Sequence, residues 1–129
     1  MELSANGARA TAGSLRAAEG IRLNHAWTDQ GVVAGPAGNG AQVLHLSVAL
    51  CVLNDTYREA QRLGIDLEGV AVDADGEFDD EWHSTGIEYS VALDAQASAE
   101  DLKRLSAVVD EVAEIPRVLR AGAAVIRRT

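Results

Sequence analysis

Aromatic side chains are scarce in this sequence: one Phe, two Tyr and two Trp among 129 residues. A hydrophobic share of 47% therefore rests on Val, Leu, Ile and Ala, enough for a modest globular core and too much for a disordered chain. Cysteine is scarcer still. With Cys51 alone, an intramolecular disulfide and a cysteine-built metal site are both excluded. Cations are few as well: 11 Lys and Arg stand against 20 Asp and Glu, a net charge of −9. That balance suits solubility and repels nucleic acid and anionic membranes, so neither is expected as a partner. No apolar run reaches the ~18 residues of a membrane span, and Met1–Ala10 lacks a signal-peptide pattern. The expectation is one cytoplasmic domain over residues 1–129.

What the chain does have is one dominant stretch, Ala41–Arg62, AQVLHLSVALCVLNDTYREAQR. Val43, Leu44, Leu46, Val48, Ala49, Leu50, Cys51, Val52 and Leu53 fall on every face of a 3.6-residue period, which predicts a buried helix. Asn39 is its expected N-cap and Gly64 its stop. Ahead of it, short extended pieces are expected at Ala8–Ala12 and Ser14–Ala18. Ile21, Leu23, His25 and Trp27 alternate with polar neighbours and predict a half-buried strand. Gly31–Gly40 reads as a loop on composition.

After the helix, Val70, Val72 and Ala74 predict a strand, and Asp75-Gly76 is a turn signal. The acidic run Glu77–Gly86 reads as a solvated loop or strand end, without the residue order of a calcium loop. Tyr89, Val91 and Leu93 predict a second, antiparallel strand. Ser98 caps a second helix whose apolar stripe is Leu102, Leu105, Val109 and Val112, with Glu114 among the outward residues and Pro116 at its end. One further turn at Arg117–Arg120 would close at Gly122, and Val125–Ile126 suggest a last short strand. The class is α+β. So long a buried helix is hard to cover with so little sheet, which favours two copies sharing one core.

For chemistry, the chain holds no Gly-x-Ser-x-Gly elbow, no Gly-Lys-Ser/Thr phosphate loop and no zinc-ligand spacing. No cofactor or metal is expected, and His25 reads as an ordinary strand residue. Cys51 is the best chemical candidate. A reactive cysteine needs its thiolate stabilised, yet the helical neighbours Ser47, Val48, Asn54 and Asp55 include no cation, and Asp55 would raise the thiol pKa. A cation would have to come from Arg9, Arg16 or Arg22; otherwise Cys51 is a packing residue.

The order of a Gly/Asn loop, LSVALCVLNDTYREAQRLG, IDLEGVAVDADGEFD, EIPRVLRAG and a short strand resembles the OsmC/Ohr family, from about Gly35 to Ile126. The resemblance implies an α+β fold with two central helices packed on antiparallel sheets in an intertwined homodimer, with active sites at the dimer interface. It implies peroxiredoxin-like reduction of organic hydroperoxides, in oxidative or osmotic stress defence, by a peroxidatic cysteine at Cys51. It also implies an activating arginine, Arg9 or Arg16, and a helix-start glutamate. A resolving cysteine before the proline completes the family pattern. Here that last position is Ile115, the glutamate position is Ala41 and the proline usually preceding it is Gly40. What is left is a one-cysteine cycle with an external thiol as reductant. The alternative is a non-catalytic homodimer that binds a small apolar ligand between its subunits.

Overall fold

The computed structural model describes residues 1–129. Strands β1 (Ala8–Gly13), β2 (Ile21–His25) and β3 (Thr28–Gly35) precede helix α1 (Gly40–Leu63). Strands β4 (Leu67–Phe78) and β5 (Ser84–Ala95) and helices α2 (Ala99–Val112) and α3 (Glu114–Ala121) follow. The five strands form one antiparallel sheet in the order β2-β3-β1-β4-β5. The expected α+β class holds, but with a single sheet and three helices.

The inner face of the central strands is built from small residues. Ala8, Ala10 and Ala12 of β1 and Val70, Val72 and Ala74 of β4 are fully buried, in one core with Val48, Ala49, Val52 and Leu53 of α1 and Leu105 and Val109 of α2. Short side chains let the helix backbone lie close to the sheet, which is how a core almost without aromatics is filled. The outer face carries Arg9 opposite Asp73, register partners joined by a two-point ion pair.

Helix α1 starts and stops where its sequence says it should. Asn39 Oδ1 accepts from Gln42 N–H at 3.0 Å, and Gln42 Oε1 accepts in return from Gly38 N–H at 2.7 Å. This reciprocal pair satisfies two N–H groups at the helix entrance. Gly64 takes the left-handed conformation at φ 72° and ends it. Asn39→Ala is expected to cost about 1 kcal/mol. Thermal unfolding followed by circular dichroism should show this as a melting temperature lowered by about 4 °C.

Several expectations give way. Helix α1 is not buried all round: Val43 is 48% exposed, and Leu44, Ser47, Leu50, Asn54 and Tyr57 along the same side are half-buried. Ser14–Ala18 is a turn rather than a strand, because Gly13 at φ 64° reverses the chain there. The Ile21–Trp27 strand stops at His25 and lies at the sheet edge, with Ile21 and Leu23 exposed. Gly31–Gly35 belongs to β3, and Val32, Val33 and Ala34 are buried because β3 lies between β1 and β2.

Gly76 is inside β4, paired with Ile87; the hairpin turns at Asp79–His83 instead. There Asp79 Oδ1 accepts the N–H groups of Glu81 and His83, both at 2.9 Å. The second helix ends at Val112, and Pro116 falls in the first turn of α3, where a missing N–H costs nothing. Val125 and Ile126 form no strand; they are 96% and 82% exposed, with no strand partner in the chain. No helix is long and apolar enough to cross a membrane.

Candidate functional site

Cys51 sits near the middle of α1, buried at 9% exposure. The α-helical repeat puts Asp55 one turn further on, and Cys51 Sγ donates to Asp55 Oδ2 at 3.9 Å. Asp55 is wholly out of solvent. Its other oxygen, Oδ1, accepts from Asn54 Nδ2 at 3.2 Å and lies 3.2 Å from the Arg58 guanidinium. The third member comes from the start of α3: Glu114, whose carboxyl lies close to that of Asp55 and pushes its pKa up. Donor atoms of Cys51, Asp55 and Glu114 all lie within 4.8 Å of one another. The trio has the donor types of a divalent-cation site, but Arg58 already supplies a positive charge to Asp55.

Two opposing influences act on the thiol. Burial pushes its pKa up, and the carboxylates of Asp55 and Glu114 add to the rise. Against them, the backbone N–H groups of Ile115 and Glu114, the first of α3, are close enough to the sulfur to favour the thiolate. The net shift is upward. Asp55 is also raised, first by burial, with Asn54 and Arg58 pulling it down and Glu114 pushing it up.

The sequence names three site residues, and the chain does not bring them together. Arg9 points to the outer side of the sheet and is held by Asp73. Arg16 follows β1 and donates only to the Gln30 carbonyl, at 3.3 Å, with no carboxylate partner. Neither is among the groups acting on Cys51. Ile115 does lie beside Cys51, as the family pattern of a resolving residue requires, but its apolar side chain cannot form a disulfide. Glu114 is the residue that sequence reasoning missed. Its only signal is its place beside Ile115, since helical periodicity assigns it to the outside.

A cavity of about 220 Å³ lies between α1, β5 and α3, and none of the three clustered side chains lines it. Its walls include Val48, one turn before Cys51, and Pro116, next to Ile115, with Ile87, Tyr89 and Leu119 opposite. Tyr89 donates to Asp110, which Arg120 also holds at 2.9 Å; burial and this bond push the phenol up to about 12. The phenol is therefore a neutral donor at any physiological pH. On the other side of α1, His25 of β2 bonds Asn54 at 3.1 Å and Thr28 at 3.0 Å. Burial lowers its pKa, so it holds the β2–β3 hairpin to the helix as a neutral ring.

A family model described as OsmC-like protein matches residues 33–126. Among solved structures, the chain is similar to an OsmC-like hydroperoxide resistance protein from Jannaschia sp. CCS1. The identity is 14% and the TM-score 0.54, over 95% of this chain and 90% of that one. At such identity the likeness carries the fold alone. None of the curated proteins matches.

Proposed function

The chain belongs to the OsmC-like protein family, and from that membership we propose that it is a cytoplasmic homodimer whose Cys51 reduces small organic hydroperoxides. The observation that carries this reading is the position of the thiol. It lies near the first N–H groups of α3, and Val48, one turn before it, and Pro116, next to Ile115, line a cavity of about 220 Å³. Attack on the peroxide leaves a sulfenic acid at Cys51. With Ile115 where a second thiol would resolve it, an external thiol completes the cycle.

The homodimer reading draws on apolar side chains left uncovered: Ile21, Leu23, Val43, Val118 and Leu119 are each 36–48% exposed. It also gives the arginine a route to the sulfur. Arg9 is committed to Asp73, so Arg16, free of any carboxylate, is the one available to a second copy's Cys51.

The second reading, a dimer that binds an apolar ligand without chemistry, is favoured by one observation. Burial and two carboxylates push the thiol up, and no cation of its own chain offsets them. Consumption of an alkyl hydroperoxide in the presence of dithiothreitol separates the two. The hydroperoxide reading expects turnover that Cys51→Ser reduces at least 100-fold, with a sulfenic acid trapped at Cys51 by dimedone. Equal rates for wild type and Cys51→Ser, with no trapped adduct, would hand the site to the ligand-binding reading. In either case an unfolding midpoint that rises with protein concentration is expected of a dimer.

A further inference from the structure

Every charged side chain acting on Cys51 within its own chain is a carboxylate. Beyond the backbone N–H groups at the start of α3, this chain offers the thiolate no cation, and what it does set beside the thiol is a base. Resting on the hydroperoxide reading above, we propose that Asp55 is the proton carrier of the Cys51 reaction. Its carboxylate takes the thiol proton and returns it to the alkoxide that leaves the peroxide.

The two oxygens of Asp55 are divided in a way that suits this. Oδ1 is held by Asn54 and Arg58, each at 3.2 Å, and Oδ2 is turned to the sulfur at 3.9 Å. Asp55 is wholly buried, so its proton is not exchanged freely with bulk water. Glu114 does not act on the sulfur as a proton carrier in this scheme. With its carboxyl within 4.8 Å of the Asp55 and Cys51 donor atoms, it is a positioning residue whose charge keeps the Asp55 carboxyl basic.

The step balances. The S–H proton passes to Asp55 Oδ2, and the sulfur electron pair attacks the terminal peroxide oxygen. The O–O bond breaks as the S–O bond forms. The sulfenic acid keeps the hydroperoxide's own proton, the alkoxide collects the proton from Asp55, and an alcohol leaves. Cysteine is oxidised by two electrons, the peroxide is reduced by two, and Asp55 is again a carboxylate.

The groups around this pair are few. On α1 they are Arg58 and the Asn54 amide, whose oxygen bonds His25 of β2 at 3.1 Å; from α3 come Glu114 and two N–H groups. From β5 the neutral phenol of Tyr89 lines the cavity between α1, β5 and α3, while the core side chains of β1 and β4 against α1 are alanine and valine.

Two rates with opposite expectations test the proposal. Alkylation by iodoacetamide needs only the thiolate, because iodide leaves without a proton. Asp55→Asn removes a negative neighbour, so alkylation at pH 7 should become several-fold faster. The same variant should consume alkyl hydroperoxide about 100-fold more slowly, the size of a lost general acid–base group. If both rates rise together, Asp55 is only an adverse charge and the proposal is overturned.

Glu114→Gln, at an exposed position, supplies an independent readout should Asp55→Asn fail to fold. Losing the Glu114 charge eases ionisation of both the Cys51 thiol and Asp55, and the alkylation profile reports the thiol alone. The ascending limb of the hydroperoxide rate should therefore move to lower pH by more than the alkylation limb does. A hydroperoxide limb that stays in place, or moves only as far as the alkylation limb, overturns the proposal. A wild-type protein that is alkylated but never consumes hydroperoxide would instead defeat the hydroperoxide reading, and this mechanism with it.

Discussion

Leu53→Ala should lower the free energy of unfolding by about 3 kcal/mol, within the 2–5 kcal/mol range of such truncations. Leu53 is fully buried in α1, in a core made mostly of alanines and valines. Short side chains cannot swing into the space an isobutyl group leaves, so most of the cavity should persist. Against a typical total of about 5–15 kcal/mol, the loss takes a large share of the fold's stability. Urea unfolding should report it as a lower midpoint with an unchanged slope. A loss below about 1 kcal/mol would mean that the core repacks and is less rigid than its geometry implies.

The second large effect is expected at the end of β1. Gly13 is at φ 64°, and a Cβ there would meet the Glu68 carbonyl oxygen of β4, a backbone atom that cannot swing away. Gly13→Ala combines the cost of a left-handed alanine, about 1–2 kcal/mol, with an overpacking cost of about 1–3 kcal/mol. The expected total is about 3 kcal/mol. Gly40→Ala is the matched control: nothing lies within 4 Å of its Cβ, and it opens α1. That substitution should be neutral or mildly stabilising. Comparable losses at both positions would show that glycine is being kept for helix entry rather than for the turn after β1.

The contrast between these glycines also marks how far the sequence could be read. Local chemistry was legible: Asn39 and Ser98 cap their helices through side-chain oxygens, and Gly64 stops α1, because each acts within four residues of itself. Tertiary uses of the same residue types were not. Asp75-Gly76 looks like a turn, but Gly76 is inside a strand because the backbone of Gly86 and the His45 ring approach it too closely for a side chain. GVVAG looks like a loop, but two neighbouring strands cover it.

The candidate site divides in the same way. Asp55 was visible as the i+4 neighbour of Cys51, with its effect on the thiol in the correct direction. Glu114 was hidden, since its contact depends on how α3 docks against α1, 63 positions from Cys51 in the numbering. The arginines were visible as residues, but not as one already paired and one free.

Strand β1 precedes the other four in the chain yet is the middle strand of the finished sheet, flanked by β3 and β4. A growing chain can close the β2–β3 hairpin and wind α1 early, yet β1 must wait for β4 while α1 is synthesised between them. Until then the β1 edge that will pair with β4 has no partner, and non-local pairing of this kind is slow to form. A newly emerging chain therefore passes through a stage in which an unpaired strand is vulnerable to association with other chains. The alternation of Arg9 with the alanines of β1 places a charge on that exposed strand, a feature that discourages such association before it contributes its ion pair to the native state.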